Sequence, residues 1–207
     1  MKRKIRKAIL NDASAYLGIK HKLPVVSEKD NATSTGGFLL GTDFETYQSY
    51  IDLGFCYTAL AEDKIVGFGV MFPNETVKTS DLWMKRKNAN WLIDIAKLEK
   101  CNISYIDQLA FLKGNSRSAI ILAYNMIKHS FKFGSEYVIT TTVREPMHNL
   151  AAIPFIKAAG GKVVGTIDEY YPVVGDIKSD LHLISAEAFY VAINKLSIYN
   201  WLRQNEI

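Results

Sequence analysis

The chain has 207 residues, 48% hydrophobic and 22% charged, with a formal charge of +4. That length buries roughly 70% of the unfolded surface without staples and favours a single domain over residues 1–207. The mild charge argues against a nucleic-acid-coating protein, and no apolar run approaches the ~18 residues of a membrane span. Cys56 and Cys101 lie far apart, and the four histidines are scattered. This pattern reads as two reduced thiols, no metal site and a cytoplasmic location.

"KIRKAIL" reads as a first strand, after which Asn11 or Asp12 caps a helix that Pro24 ends. "SEKDNATSTGG" reads as a mobile polar loop. Thr42 or Asp43 then caps "FETYQSYIDLG", which stops at Gly54. "FCYTALA", the turn "EDK" and "IVGFGVMF" form a hairpin of nearly continuous apolar character, as central strands require. Thr76 to Lys100 reads as helical, anchored by Trp83, Trp91, Leu92 and Ile95. "ISYIDQLAFL" is a strand, and Ile120, Tyr124, Ile127 and Phe131 recur at helical spacing until Gly134. "EYVITTTV" is a β-branched strand, "NLAAIPFIKAAGG" a short helix, and "KVVGTIDEYYPV" and "DLHLIS" are strands. Residues 186–207 read as a C-terminal helix. The order is that of an α/β protein with one mixed sheet and helices on both faces.

The stretch "FLKGNSRSAIIL" gathers Lys113, Gly114, Asn115, Ser116, Arg117 and Ser118 where a strand hands over to a helix. Free N–H groups and partial positive charge make a helix start a ready anion site, and the two cations would strengthen it. A solvated turn capped by Ser116 or Ser118 explains the same residues.

Four segments, in order, resemble the GNAT superfamily of acyl-CoA N-acyltransferases. "IRKAILNDASAYL" resembles its first strand and helix, and "ALAEDKIVGFGVM" its central hairpin. "YIDQLAFLKGNSRSAIILAYNMIKHSFKFG" resembles its fourth strand, pyrophosphate loop and following helix. Asn149, Ala152, Phe155 and Gly160 match its later pattern N-x-x-A-x-x-F-Y-x-x-x-G-F. The resemblance covers most of Lys4 to Val174. It implies a GNAT-like fold, an α+β mixed sheet flanked by helices on both faces. It also implies acetyl-CoA-dependent N-acetyltransferase activity on the amine of a small-molecule or amino-acid-like acceptor. Acetyl-CoA would be the acyl donor; no nucleic acid, membrane or metal is expected, and a homodimer is allowed.

In that family the fourth strand splays from the fifth. The resemblance therefore implies that the backbone of Leu109, Ala110 and Phe111 bonds the pantetheine and polarises the thioester. It places the pyrophosphate on Lys113, Gly114, Asn115, Ser116, Arg117, Ser118 and Ala119, while Asn149 either caps its helix or bonds the pantetheine. Three departures stand out. Serines (or Arg117 and Ala119) replace loop glycines, Ile156 replaces the tyrosine that serves as general acid, and Pro154 falls inside the later helix. They motivate an alternative, a non-catalytic acyl-CoA-binding module of the same fold.

Asp107 is the carboxylate nearest the implied thioester and the candidate base. A strand-face aspartate paired with a lysine is the competing reading. Glu145, Glu169 and His148 are further candidates, and Tyr170 and Tyr171 lie where acceptor pockets form. Residues 76–100 exceed the family's usual connection, so a helical insertion bordering the acceptor groove is expected.

Overall fold

The computed structural model describes residues 3–23, 31–34, 36–39, 41–171 and 174–207. Pro24, and with it part of the expected polar loop, lies outside the described residues. In chain order the elements are β1 (Arg3–Lys7), α1 (Ala13–His21), β2 (Ala32–Thr33), α2 (Phe44–Asp52), β3 (Cys56–Ala61) and β4 (Lys64–Phe72). An insertion follows, comprising α3 (Asn74–Thr79), α4 (Asp81–Met84), a 3-10 turn, β5 (Asn90–Trp91) and α5 (Ile95–Leu98). Next come β6 (Ile103–Phe111), α6 (Ser116–Lys132), β7 (Tyr137–Glu145), β8 (His148–Asn149) and α7 (Ile153–Ala158). The chain ends with β9 (Lys162–Tyr171), β10 (Gly175–Ser185), α8 (Ala186–Asn194) and α9 (Tyr199–Arg203).

Eight strands form one mixed sheet in the order β1-β3-β4-β6-β7-β10-β9-β5. Only β6 and β7 run parallel; every other neighbour is antiparallel. The parallel pair is joined through α6, a 17-residue helix that ends at Gly134 with φ +90°. Tyr124 and Ile127 are buried with Phe189 and Leu202, while Ile121, Leu122 and Met126 are buried against β1, β3 and β4. Helix α6 is therefore buried along two stripes, and with α8 and α9 it covers one face of the sheet. Helices α1 and α2 cover the other, around Tyr16, Tyr47 and Phe68. Asp43 caps α2 by accepting from the Thr46 N–H at 2.9 Å.

Several elements differ from expectation. Residues 76–100 break into short helices, because each turn is pinned separately. Trp83 and Leu98 are buried against Ile103, Tyr105 and Ile139, and Trp91 gives its indole N–H to Arg86 O at 2.9 Å. The insertion lies on the α1/α2 side, since Phe72 packs against both clusters. The C-terminal segment is two helices separated by residues 195–198. Pro154 occupies the first turn of α7, where its missing N–H has no intrahelical partner to lose. Asp12 does not cap α1 with its side chain, which is held by Arg6, Thr58 and the Ile9 N–H.

Candidate active site

Strands β6 and β7 pair only from Ile103↔Tyr137 to Ile106↔Thr140 and then part. The Thr140 hydroxyl donates to Ile106 O at 2.9 Å, which closes the apex of the fork. Beyond it, β6 pairs with β4 alone. Close packing here needs Gly67, where a Cβ would meet the Phe111 ring at 2.1 Å. Leu112 N donates to Val66 O on the β4 side. The two-residue alternation of an antiparallel ladder then turns the backbone of Gln108 and Ala110 toward β4, and that of Leu109 and Phe111 into the fork. Of the three residues expected to present backbone to a thioester, Ala110 is turned away, and its side chain packs into the α1/α2 core.

A β-bulge falls at Asp107, since Val70 pairs with Gln108 and Met71 with Ile106. The extra residue shifts side-chain parity by one. Tyr105, Gln108 and Ala110 consequently share the α1/α2 face, whereas Ile106, Leu109 and Phe111 pack on the α6 side. Asp107, with no partner on β4, stands at the fork.

At the far end of β6, Gly114 has φ +85° and lets the chain swing into α6. The Ala119 N–H already donates to Asn115 O at 3.0 Å, so it is spent within the helix. The N–H groups of Lys113, Gly114, Ser116, Arg117 and Ser118 have no acceptor among the described residues. Lys113 and Arg117 are exposed and make no ion pair among them. Ser118 is fully buried and its hydroxyl has no partner among the described residues, so only its backbone could face an anion. Asn115 turns its amide onto Leu112 O and Lys113 O. Five free N–H groups, two free cations and a helix start suit a pyrophosphate; the serines do not obstruct it.

On the other side of the fork, Asp107 is open to water but crowded by protein elsewhere. Crowding pushes its carboxyl up; contact with Gln108 opposes this and the charge of Glu169 adds to it, leaving it at about 6. No cation pairs with Asp107 among the described residues. Tyr47, Tyr50, Tyr105 and Tyr171 are all raised, chiefly by burial and also by the Asp107 charge, Tyr171 to about 12. The arrangement is braced by Tyr47 Oη donating to Gln108 Oε1 at 2.8 Å and Gln108 Nε2 donating to Thr42 Oγ1 at 2.7 Å. Glu169 has a side chain only 8% exposed and pairs with Lys85 of the insertion at 3.0 Å. The insertion thus reaches the edge of this cleft.

The remaining candidates lie elsewhere or are engaged. Glu145 is exposed and pairs with Lys178 at 3.7 Å. Tyr170 is two-thirds exposed. Asn149 Oδ1 accepts from the Ala151 N–H at 3.1 Å, which shapes the turn before α7 and is not the cap itself. His148 lies beside it on β8, paired with β2, and its Nε2 is buried without a partner among the described residues. Ile156 is buried against Gly161 and supplies no proton. The sequence reading missed Tyr47, Tyr50, Tyr105 and Thr140; the first three carried an aromatic signal, but nothing local tied them to Asp107.

No family model matches the sequence, and no curated protein is significantly similar to it. Solved structures do match. Arabidopsis thaliana NAA60 in complex with a bisubstrate analogue superposes with a TM-score of 0.61 at 15% identity, covering 89% of this chain and 99% of that one. The ribosomal-protein-S18-alanine N-acetyltransferase of Escherichia coli gives 0.57 at 12%, covering 89% and 94%. Drosophila melanogaster polyamine N-acetyltransferase, which forms N-acetylagmatine, gives 0.56 at 13%, covering 89% and 100%. With the forked β6–β7 pair and the α6 start in place, the chain has the GNAT fold.

Proposed function

We propose that this protein is an acyl-CoA-dependent N-acyltransferase that modifies the amine of a cationic small molecule or an amino-acid-like acceptor. The observation that carries the reading is the fork. One strand offers free backbone at Leu109 and Phe111, with an anion-suited helix start at one end and an uncompensated carboxylate at the other. The similar structures include acetyltransferases named for polyamine and ribosomal-protein-alanine acceptors, which supports the same chemistry.

In this scheme the pyrophosphate of acetyl-CoA lies on Lys113 to Ser118, and the thioester carbonyl meets the N–H groups of Leu109 and Phe111. The acceptor approaches from the tyrosine side, drawn as a cation by Asp107 and Glu169. Asp107, directly or through one water, first takes a proton from the ammonium, and the neutral nitrogen so formed attacks the carbonyl carbon. A carboxyl near 6 is suited to that task at neutral pH. The oxyanion rests on backbone donors, the carbon–sulfur bond breaks, and the adduct's remaining extra N–H proton passes through water to the leaving CoA thiolate. The decisive experiment mixes the protein with acetyl-CoA and a panel of amines and measures free CoA thiol. Release with at least one amine is expected. Binding of acetyl-CoA without release from any amine would favour the non-catalytic module, for which the buried Ile156 is the one supporting observation.

A further inference from the structure

A cavity of about 30 Å³ lies between the insertion and the sheet, walled mainly by Val77, Trp83, Trp91, Tyr105, Ile139 and Leu181. Its position relative to the fork gives it a use. Tyr105 stands one residue before Ile106, and Thr141 one residue after Thr140, so the pair flanks the apex. Their hydroxyls share a hydrogen bond of 3.0 Å from β6 to β7, and both residues line the cavity. If the pyrophosphate lies at the start of α6 and the thioester at Leu109, the acyl chain points down β6 toward that apex. The cavity lies against that apex, with Tyr105 and Thr141 common to both.

We propose that this cavity is an acyl-chain subsite, so that the preferred donor carries three or four acyl carbons rather than two. The inference rests on the reading of the fork as the acyl-CoA site. The walls are almost wholly apolar. Arg86, the one charged residue among them, turns its guanidinium onto Glu99 at 2.6 Å and Trp83 O at 2.8 Å. A space so lined favours an apolar occupant over a polar one. By size it holds about two water-sized groups, which corresponds to about two methylenes beyond acetyl. Each buried methylene is worth roughly fourfold in affinity. A terminal carboxylate, as on malonyl, would be left there without a partner and is disfavoured. Trp83 and Trp91 belong to the insertion, which assigns that segment a part in donor choice as well as in the acceptor cleft.

Calorimetry of the full chain with CoA and with acetyl-, propionyl-, butyryl-, hexanoyl- and malonyl-CoA tests this. Affinity should rise about fourfold per carbon from acetyl to butyryl and fall at hexanoyl, with malonyl weaker than acetyl. Val77→Phe, which fills the cavity, should abolish the rise; should that variant not fold, the wild-type series decides alone. A flat or falling series from acetyl to butyryl, with CoA itself bound, overturns the subsite. Absence of binding by CoA and every thioester overturns the fork reading and the subsite with it.

Discussion

Asp12 and Asp107 are two carboxylates beside the same layer of helices, and their surroundings have opposite effects on them. Burial pushes the Asp12 carboxyl up, but the Arg6 guanidinium, the Thr58 hydroxyl and the Ile9 N–H more than reverse it, so it is held below the usual range. Asp107 has water on one side, no cationic partner among the described residues, and an electrostatic coupling to Glu169 and four tyrosines. Being surrounded by protein raises both groups; the partners decide which stays a fixed charge and which is free to exchange a proton. The first arrangement holds a fold together, and the second is suited to chemistry.

The sharpest way to break this contrast is to remove each charge with an isosteric amide. Asp107→Asn should lower kcat/KM by roughly 10²–10⁴ with an active acceptor while acetyl-CoA affinity stays near wild type. Turnover at the wild-type level would move the base elsewhere, with Glu169 next in line because its side chain is buried beside Asp107.

Asp12→Asn should leave chemistry alone and unfold the protein more easily. It strands Arg6 and weakens the bonds from Thr58 and Ile9. Breaking a buried pair costs about 3–5 kcal/mol, and the partly exposed Arg6 places this one near 3. For a chain of this size that lowers Tm by roughly 6–12 °C. The sign with pH follows from the depressed carboxyl. Its stabilisation is present above the unfolded value near 4 and is lost as pH falls through the folded value. A melt at pH 7 with unchanged Tm would show that the network is not holding the β1–α1 corner.

Asp107 itself was legible, as a polar residue inside an apolar strand, and so was α6, whose apolar spacing marks one of its two buried stripes. Its neighbours were not. Tyr47 and Tyr50 on α2 and Tyr171 at the end of β9 feel its charge only through the folded topology, and no local pattern encodes that. The bulge was equally hidden, and it decides that Ala110 faces β4 while Leu109 and Phe111 face the fork. Glu169 is held by Lys85, from an insertion that reads as helical and folds as several short pieces, and that pairing has no local signal either. Local periodicity gave the elements, and long-range register gave the site.

The cationic end of the fork supplies a smaller effect. Replacing both Lys113 and Arg117 with alanine should weaken acetyl-CoA binding by about 1–3 kcal/mol, since charge-assisted hydrogen bonds are lost but the free N–H groups remain. The loss should shrink as salt is raised, because both side chains are exposed. Unchanged affinity in the double variant would remove the pyrophosphate from this helix start.

The smallest effect separates the two aspartates most directly, because it has the opposite sign to that of Asp12. Asp107 holds a folded-state carboxyl at about 6, against an ordinary value of 3.8. The folded protein therefore takes up this proton more readily than the unfolded chain. The contribution to stability is full below about pH 3.8 and is lost as pH rises through 6, so at pH 8 the charge costs the fold. Water reaches the carboxylate, and screening discounts that cost to about 0.5 kcal/mol. Asp107→Asn should accordingly melt roughly 1–2 °C above wild type at pH 8 and converge with it toward pH 4. The same titration should appear in catalysis as a rate that falls on the acid side of about pH 6 in the wild type. A variant less stable than wild type at pH 8 would mean that Asp107 holds a structural bond there, as Asp12 does, and the contrast between the two would collapse.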